Sequence, residues 1–149
     1  MPTVVLTDTL CVYNLAMPLS VNKAYVSIGR GRRKLSTEGK IYKRMLVDTL
    51  APHVTISNAN IFSGIPLELH ITLYFKSIEN KGWPKKTKER YKRVDVSNRV
   101  KLLEDALFDS LGLDDKLIFS LRVTKTQSSS SEEHCSFKLL PYEEDLSGL

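Results

Sequence analysis

The sequence predicts an α/β (α+β) fold, one mixed β-sheet with helices packed on it, and three observations lead there. Residues 66–77 alternate Leu67, Leu69, Ile71, Leu73 and Phe75 against polar neighbours, the two-residue period of a half-buried strand. Residues 96–111 carry Val96, Val100, Leu103, Leu107 and Leu111 at steps of four, three, four and four, one face of an amphipathic helix. Strand-like segments alternate with helical ones in the order β, α, β, α, β, β. At 149 residues the chain is read as a single domain, 1–149, long enough to bury a core without disulfide or metal staples.

In chain order, residues 3–17, TVVLTDTLCVYNLAM, are rich in β-branched and apolar side chains and predict a strand ending at Pro18. The next segment, PLSVNKAYVSIGRGRRKLSTEG, is broken by Gly29, Gly31 and Gly39 and predicts a basic loop. Ser36 then opens a helix with Ile41, Met45, Leu46 and Leu50 at helical spacing, closed by Pro52. After the 66–77 strand, IENKGWPKKTKERYKR predicts a charged loop, and the 96–111 helix stops at Gly112. KLIFSLRVTKTQ predicts a further strand, SSSSEE a polar hairpin loop and HCSFKLLPY a last strand.

Composition narrows the function. Cys11 and Cys135 fit no metal or redox spacing and predict free thiols in a reducing compartment. No apolar run is long enough to span a bilayer and the first residues lack a signal-peptide pattern, so a cytoplasmic location without membrane partner is expected. Residues 23–44 hold eight Lys/Arg against one acid and residues 76–101 hold ten against three, each segment netting +7. Acids gather at the end of the chain, where Glu132, Glu133, Glu143, Glu144 and Asp145 face only Lys138. Two strongly basic segments predict a polyanion partner, because clustered cations pair phosphates and release counterions. Tyr25, Tyr42, Trp83 and Tyr91 lie in or near these segments, where they stack on bases or simply anchor loops.

Between the basic segments lies RVDVSNRVKLLEDALFDSLGLDDKLI, residues 93–118, with Asp95 at the helix start and Asp114 and Asp115 past its stop. On a wheel at about 100° per residue, Ser97, Lys101, Glu104, Asp105 and Phe108 form a stripe beside the apolar face. A helix of about 15 residues holds its ends roughly 22 Å apart. Asp95 and Asp115 therefore meet only if the chain after Gly112 doubles back across the helix, or if a second subunit completes the site. Carboxylates under basic walls suit a hard cation such as Mg²⁺, which takes carboxylate and water oxygens and completes its shell with substrate phosphates. The chemistry needing acids for metal and cations for phosphate is phosphodiester hydrolysis, with a lysine such as Lys101 neutralising developing charge. The plainer alternative is structural. Asp95 or Ser97 caps the helix, Asp105 pairs with Lys101, and Asp114 and Asp115 shape a turn.

The series Asp95, Ser97, Asn98, Lys101, Asp105-Ala106-Leu107 and Asp114-Asp115 resembles the RusA family of Holliday junction resolvases, whose D-x-D-N-x-x-K-x-x-x-D-A-L segment precedes a D-D pair and a strand. PLSVNKAYVS and LSTEGKIYKRML are similar to its N-terminal pattern, so the resemblance runs over roughly residues 13–125. It implies a RusA-like homodimer of bacterial or phage origin that binds branched DNA, the four-way junction of recombination and repair, and nicks it with Mg²⁺, for which Mn²⁺ can substitute. The family's catalytic residues map onto Asp95, Asp115 and Lys101, its metal ligands onto Asp95, Asp115, Asp114 and Ser97. Ser97 stands where the family has an aspartate, so a neutral hydroxyl replaces a principal ligand, with Glu104 a substitute carboxylate on the same stripe. Arg30, Arg32, Arg33, Lys34, Lys85, Lys86, Lys88 and Asn98 are the residues expected to hold DNA.

Overall fold

The computed structural model describes residues 1–55 and 60–143. A five-stranded sheet runs in the order β1 (Thr3–Leu6), β2 (Leu10–Leu15), β7 (His134–Pro141), β5 (Leu67–Phe75), β6 (Ile118–Gln127). The sheet is mixed, since β5 and β6 pair in parallel while β5–β7, β2–β7 and β1–β2 are antiparallel. Parallel neighbours need a crossover. Here helix α3 (Ser97–Leu111) supplies it, and helix α2 (Thr37–Leu50) packs against α3.

β5 follows its sequence pattern residue by residue: Leu67, Leu69, Ile71, Leu73 and Phe75 are buried and the residues between them are half-buried. The stretch 3–17 corrects the single predicted strand. It is a hairpin, β1 and β2, turned at Thr7–Thr9, because Asp8 and the flanking threonines satisfy a tight turn better than an extended ladder. Asn14, at a positive φ of 57°, marks a register shift in β2.

The predicted basic loop is also corrected. After a short helix α1 (Val21–Ala24), residues 25–35 form a second hairpin of β3 (Tyr25–Gly29) and β4 (Arg32–Leu35). Gly29, Arg30 and Gly31 all have positive φ, so the glycines make a hairpin turn where sequence reasoning took them to end structure. In α2 Ser36 caps the helix as expected, its hydroxyl accepting from the Gly39 N–H at 3.0 Å. The buried face is Gly39, Tyr42, Leu46 and Leu50, while Ile41 is 65% exposed and lies outside it.

Gly39 meets α1 at close range: a Cβ there would stand 2.4 Å from the Ala24 carbonyl oxygen. Gly39→Ala is expected to destabilise the fold by about 1–3 kcal/mol through overpacking, although alanine favours helix by roughly 1 kcal/mol. A urea midpoint at or above the wild-type value would contradict this.

SSSSEE is not a hairpin loop, because β6 and β7 flank β5 and do not pair with each other. The connection crosses the end of β5, anchored by the buried Ser128, whose N–H donates to Phe75 at 2.8 Å. In α3 burial reaches beyond the expected stripe to Leu102, Ala106 and Phe108. Phe108, placed by the wheel on the polar side, is only 3% exposed. The helix is covered by α2 and by the chain returning after Gly112, and a wheel registers neither. Of the acidic chain end, Glu144 and Asp145 lie outside the described residues.

Candidate active site

Asp95 organises the start of α3. Its Oδ1 accepts from the Ser97 hydroxyl at 2.7 Å and from the Ser97 N–H at 3.0 Å. The hydroxyl bond first, then the backbone bonds and the nearby Lys125, hold this carboxyl below the usual aspartate range. Lys125 reaches the same corner from β6, donating to the Val94 carbonyl at 3.0 Å. Ser97 is exposed and Asn98 half-buried.

Farther along the same stripe, Lys101 Nζ lies 3.4 Å from Asp105 Oδ2 and 5.4 Å from the centre of the Tyr25 ring. The Tyr25 hydroxyl donates to that same carboxylate oxygen. Burial, reinforced by the bond to Asp105, pushes the Tyr25 phenol far up, so it remains a donor. Asp105 is thus gripped from two elements, and Lys101 is steadied by a carboxylate and an aromatic face together.

Past Gly112, whose φ of 66° ends the helix, the Leu113 N–H returns to the Phe108 carbonyl at 2.9 Å. Asp114 caps the following 3-10 turn, Asp115–Leu117, by accepting from the Lys116 N–H at 3.1 Å, and that bond lowers its pKa. This reversal carries Asp115 back toward the middle of α3. Glu104 registers it: burial, then the charges of Asp105 and Asp115, push its carboxyl upward.

Glu104, Asp105, Asp109, Asp114 and Asp115 line an open hollow of ≈ 420 Å³ beside Phe108 and Leu113. Asp109 pairs with Lys43, Asp114 with Lys116 at 3.5 Å and Asp105 with Lys101. Glu104 and Asp115 make no ion pair among the described residues.

Of the predicted ligands, the fold brings Asp114 and Asp115 to Glu104, with Lys101 alongside. Asp95 and Ser97 stay at the N-terminal end of α3, where the neighbours felt by Asp95 are Ser97, Asn98 and Lys125. Among the described residues no three His, Cys, Asp or Glu groups converge closely enough to hold a metal ion. The donor chemistry does fit a hard divalent cation, since every candidate donor is an oxygen and the charges of Asp105 and Asp115 both press on Glu104 against the single nearby cation Lys101. Of the structural roles foreseen, Asp114 does shape a turn and Asp105 does pair with Lys101, but neither Asp95 nor Ser97 is the helix cap: Val96 holds that position with no side-chain cap, and Asp95 closes the turn just before it.

Arg30, Arg32, Arg33 and Lys34 are exposed along the β3–β4 hairpin, which is rooted at Tyr25 and so rises from the acidic face. Lys85, Lys86 and Lys88 are exposed on the loop leading into α3, which an isolated bridge between Glu79 and Tyr91 closes. Of the aromatics, Tyr42 is buried with its hydroxyl on the Ala16 carbonyl at 2.8 Å, and Tyr25 turns to Asp105. Trp83 and Tyr91 remain at the surface with the Arg90 guanidinium over both rings. The Tyr25–Asp105 bond and the approach of Lys125 were missed by sequence reasoning, and no local pattern signals either.

A carboxylate-bearing helix face joined by a positioned lysine and bordered by exposed cations defines the class: a small α+β protein of the kind built to act on nucleic-acid phosphates. Residues 17–133 match the family described as endodeoxyribonuclease RusA, and the chain belongs to that family. The match includes both basic segments and all of α3. Nucleases of this family generally depend on a divalent metal. No curated protein matches the chain in direct comparison. No helix among the described residues is long and apolar enough to cross a membrane.

Proposed function

We propose that this protein is a structure-selective endodeoxyribonuclease that resolves four-way (Holliday) DNA junctions by Mg²⁺-dependent phosphodiester hydrolysis, in recombination and repair. The observation that carries the reading is the return of Asp114 and Asp115 to the hollow lined by Glu104 and by Asp105, the partner of Lys101, in a chain of an endodeoxyribonuclease family. Asp95 and Asp115 are the principal metal ligands, Ser97 and Asp114 support them, and Glu104 adds a carboxylate. A bound Mg²⁺, or Mn²⁺ in its place, supplies an activated water and charge stabilisation at the leaving oxygen. Lys101, held by Asp105 and Tyr25, offers its ammonium to the charge that develops on the phosphate. Arg30, Arg32, Arg33, Lys34, Lys85, Lys86, Lys88 and Asn98 hold the DNA, chiefly by its backbone.

The enzyme works as a homodimer, whose two-fold symmetry suits a junction of approximate two-fold symmetry. A second copy would also bridge the separation between the Asp95 and Asp115 neighbourhoods. The edge strand β6 exposes Phe119 and Leu121, an apolar surface consistent with self-association.

The test is incubation with a synthetic four-way junction and Mg²⁺ beside a linear duplex of the same sequence; paired symmetrical nicks in the junction alone are expected. A second reading, a junction or single-strand DNA-binding module with weakened chemistry, is favoured by Ser97, whose neutral hydroxyl occupies Asp95 Oδ1. Tight binding with no cleavage under Mg²⁺ or Mn²⁺ would establish it. Ser97→Asp separates the two further. Restoring a carboxylate is expected to raise the cleavage rate or the apparent Mg²⁺ affinity by roughly 10-fold, comparable to changes around a metal's ligand shell. Unchanged kinetics across a Mg²⁺ titration would show that position 97 is no weakened ligand.

A further inference from the structure

A second charged hollow, of ≈ 460 Å³, opens where β5 leaves the sheet and α3 begins, with Phe75 and Val94 among its apolar lining and Lys76, Lys81, Lys92 and Arg99 around it. These four cations face a single acid, Glu133. Arg99 is fixed in place, donating to the Pro18 carbonyl at 3.0 Å with its guanidinium 5.5 Å from the centre of the Phe75 ring. Lys76, Lys81 and Lys92 are exposed, and none makes an ion pair among the described residues. Gathered like charges repel one another unless an anion balances them.

We infer that this hollow seats a phosphodiester segment of the DNA strand that passes Asp95, a binding site distinct from the basic hairpin. The inference rests on the DNA reading above. Its position supports it, since Lys92 and Val94 lie three residues and one residue before Asp95. Its shape favours a polymer: the cations are spread around an open, partly apolar rim, which suits a chain of phosphates with sugar and base faces between them. The same loop continues the cation line through Lys85, Lys86 and Lys88. The hollow thus guides the backbone toward the acidic stripe of α3.

The experiment measures anisotropy of labelled four-way junction, linear duplex and oligo-dT with the full chain in EDTA, over a range of NaCl. Lys81→Ala/Lys92→Ala is expected to weaken all three probes and to reduce the slope of log K against log salt by about 1.4–1.8, two phosphate contacts' worth. Glu133→Gln is expected to strengthen all three, which guards against a folding defect in the double variant. An unchanged salt slope in the lysine variant with unchanged affinity in Glu133→Gln would overturn the site. Sodium phosphate matched to NaCl in ionic strength is expected to compete no better; selective displacement would mean a small-anion site and would equally overturn the proposal. The two readings fail separately. A wild-type protein that shows no preference for the junction, while the lysine variant still loses slope, removes the resolvase reading and keeps the hollow. Binding of none of the three probes removes both.

Discussion

Asp95→Asn and Asp115→Asn are each expected to lower junction cleavage by more than about 100-fold while leaving junction binding in EDTA intact. Changes in the residues that only orient metal ligands already cost about 10–100-fold, so loss of a carboxylate proposed as a ligand is expected to cost more. Binding survives because the cations assigned to DNA, Arg30, Arg32, Arg33, Lys34, Lys85, Lys86 and Lys88, are all retained, and neutralising a carboxylate removes repulsion toward phosphate rather than a contact. The two variants probe different neighbourhoods. Asp115 shares its hollow with Glu104, whereas Asp95 is held by Ser97 and lies near Lys125. If mixing the two inactive variants restores activity, the site draws on both protomers. Single-turnover cleavage close to the wild-type rate in either variant would remove that aspartate from the machinery.

Leu103→Ala is expected to destabilise the protein by about 3 kcal/mol, through lost burial and the cavity left behind. Leu103 is fully buried on the core side of α3, opposite the stripe that carries Lys101 and Asp105. For a domain of this size, that corresponds to a fall in melting temperature of roughly 6–12 °C. Cleavage at a temperature where the variant is folded should remain within a few-fold of wild type, because no side chain of the acidic stripe is altered. A melting temperature within a degree of wild type would mean that Leu103 is not buried in the core as described.

Where one element repeats its signal over many residues, the sequence was sufficient. Nine alternating positions placed β5, and the four-three-four-four stripe with Gly112 placed α3. The N-terminal hairpin was lost because its turn, Thr7 to Thr9, interrupts an apolar run only briefly. The β3–β4 hairpin was lost because its glycines serve a turn within structure, and glycine marks both cases alike. Ile41 and Phe108 were misplaced for one reason: a helix facing several neighbours buries more, or other, residues than its strongest stripe.

The candidate site divides in the same way. Its residue types, their order and the surrounding positive charge are local and linear, and by themselves they suggest carboxylate chemistry on a polyanion. Spatial partners are neither local nor linear. Tyr25 finds Asp105 from 80 positions away, Asp115 turns back to Glu104, and Asp95 remains at the other end of the helix with Ser97. Periodicity records which face of an element is apolar over a few residues. Which faces then meet is decided by strand order, by the reversal after Gly112 and by how many neighbours each helix packs against, and these emerge only when the whole core closes.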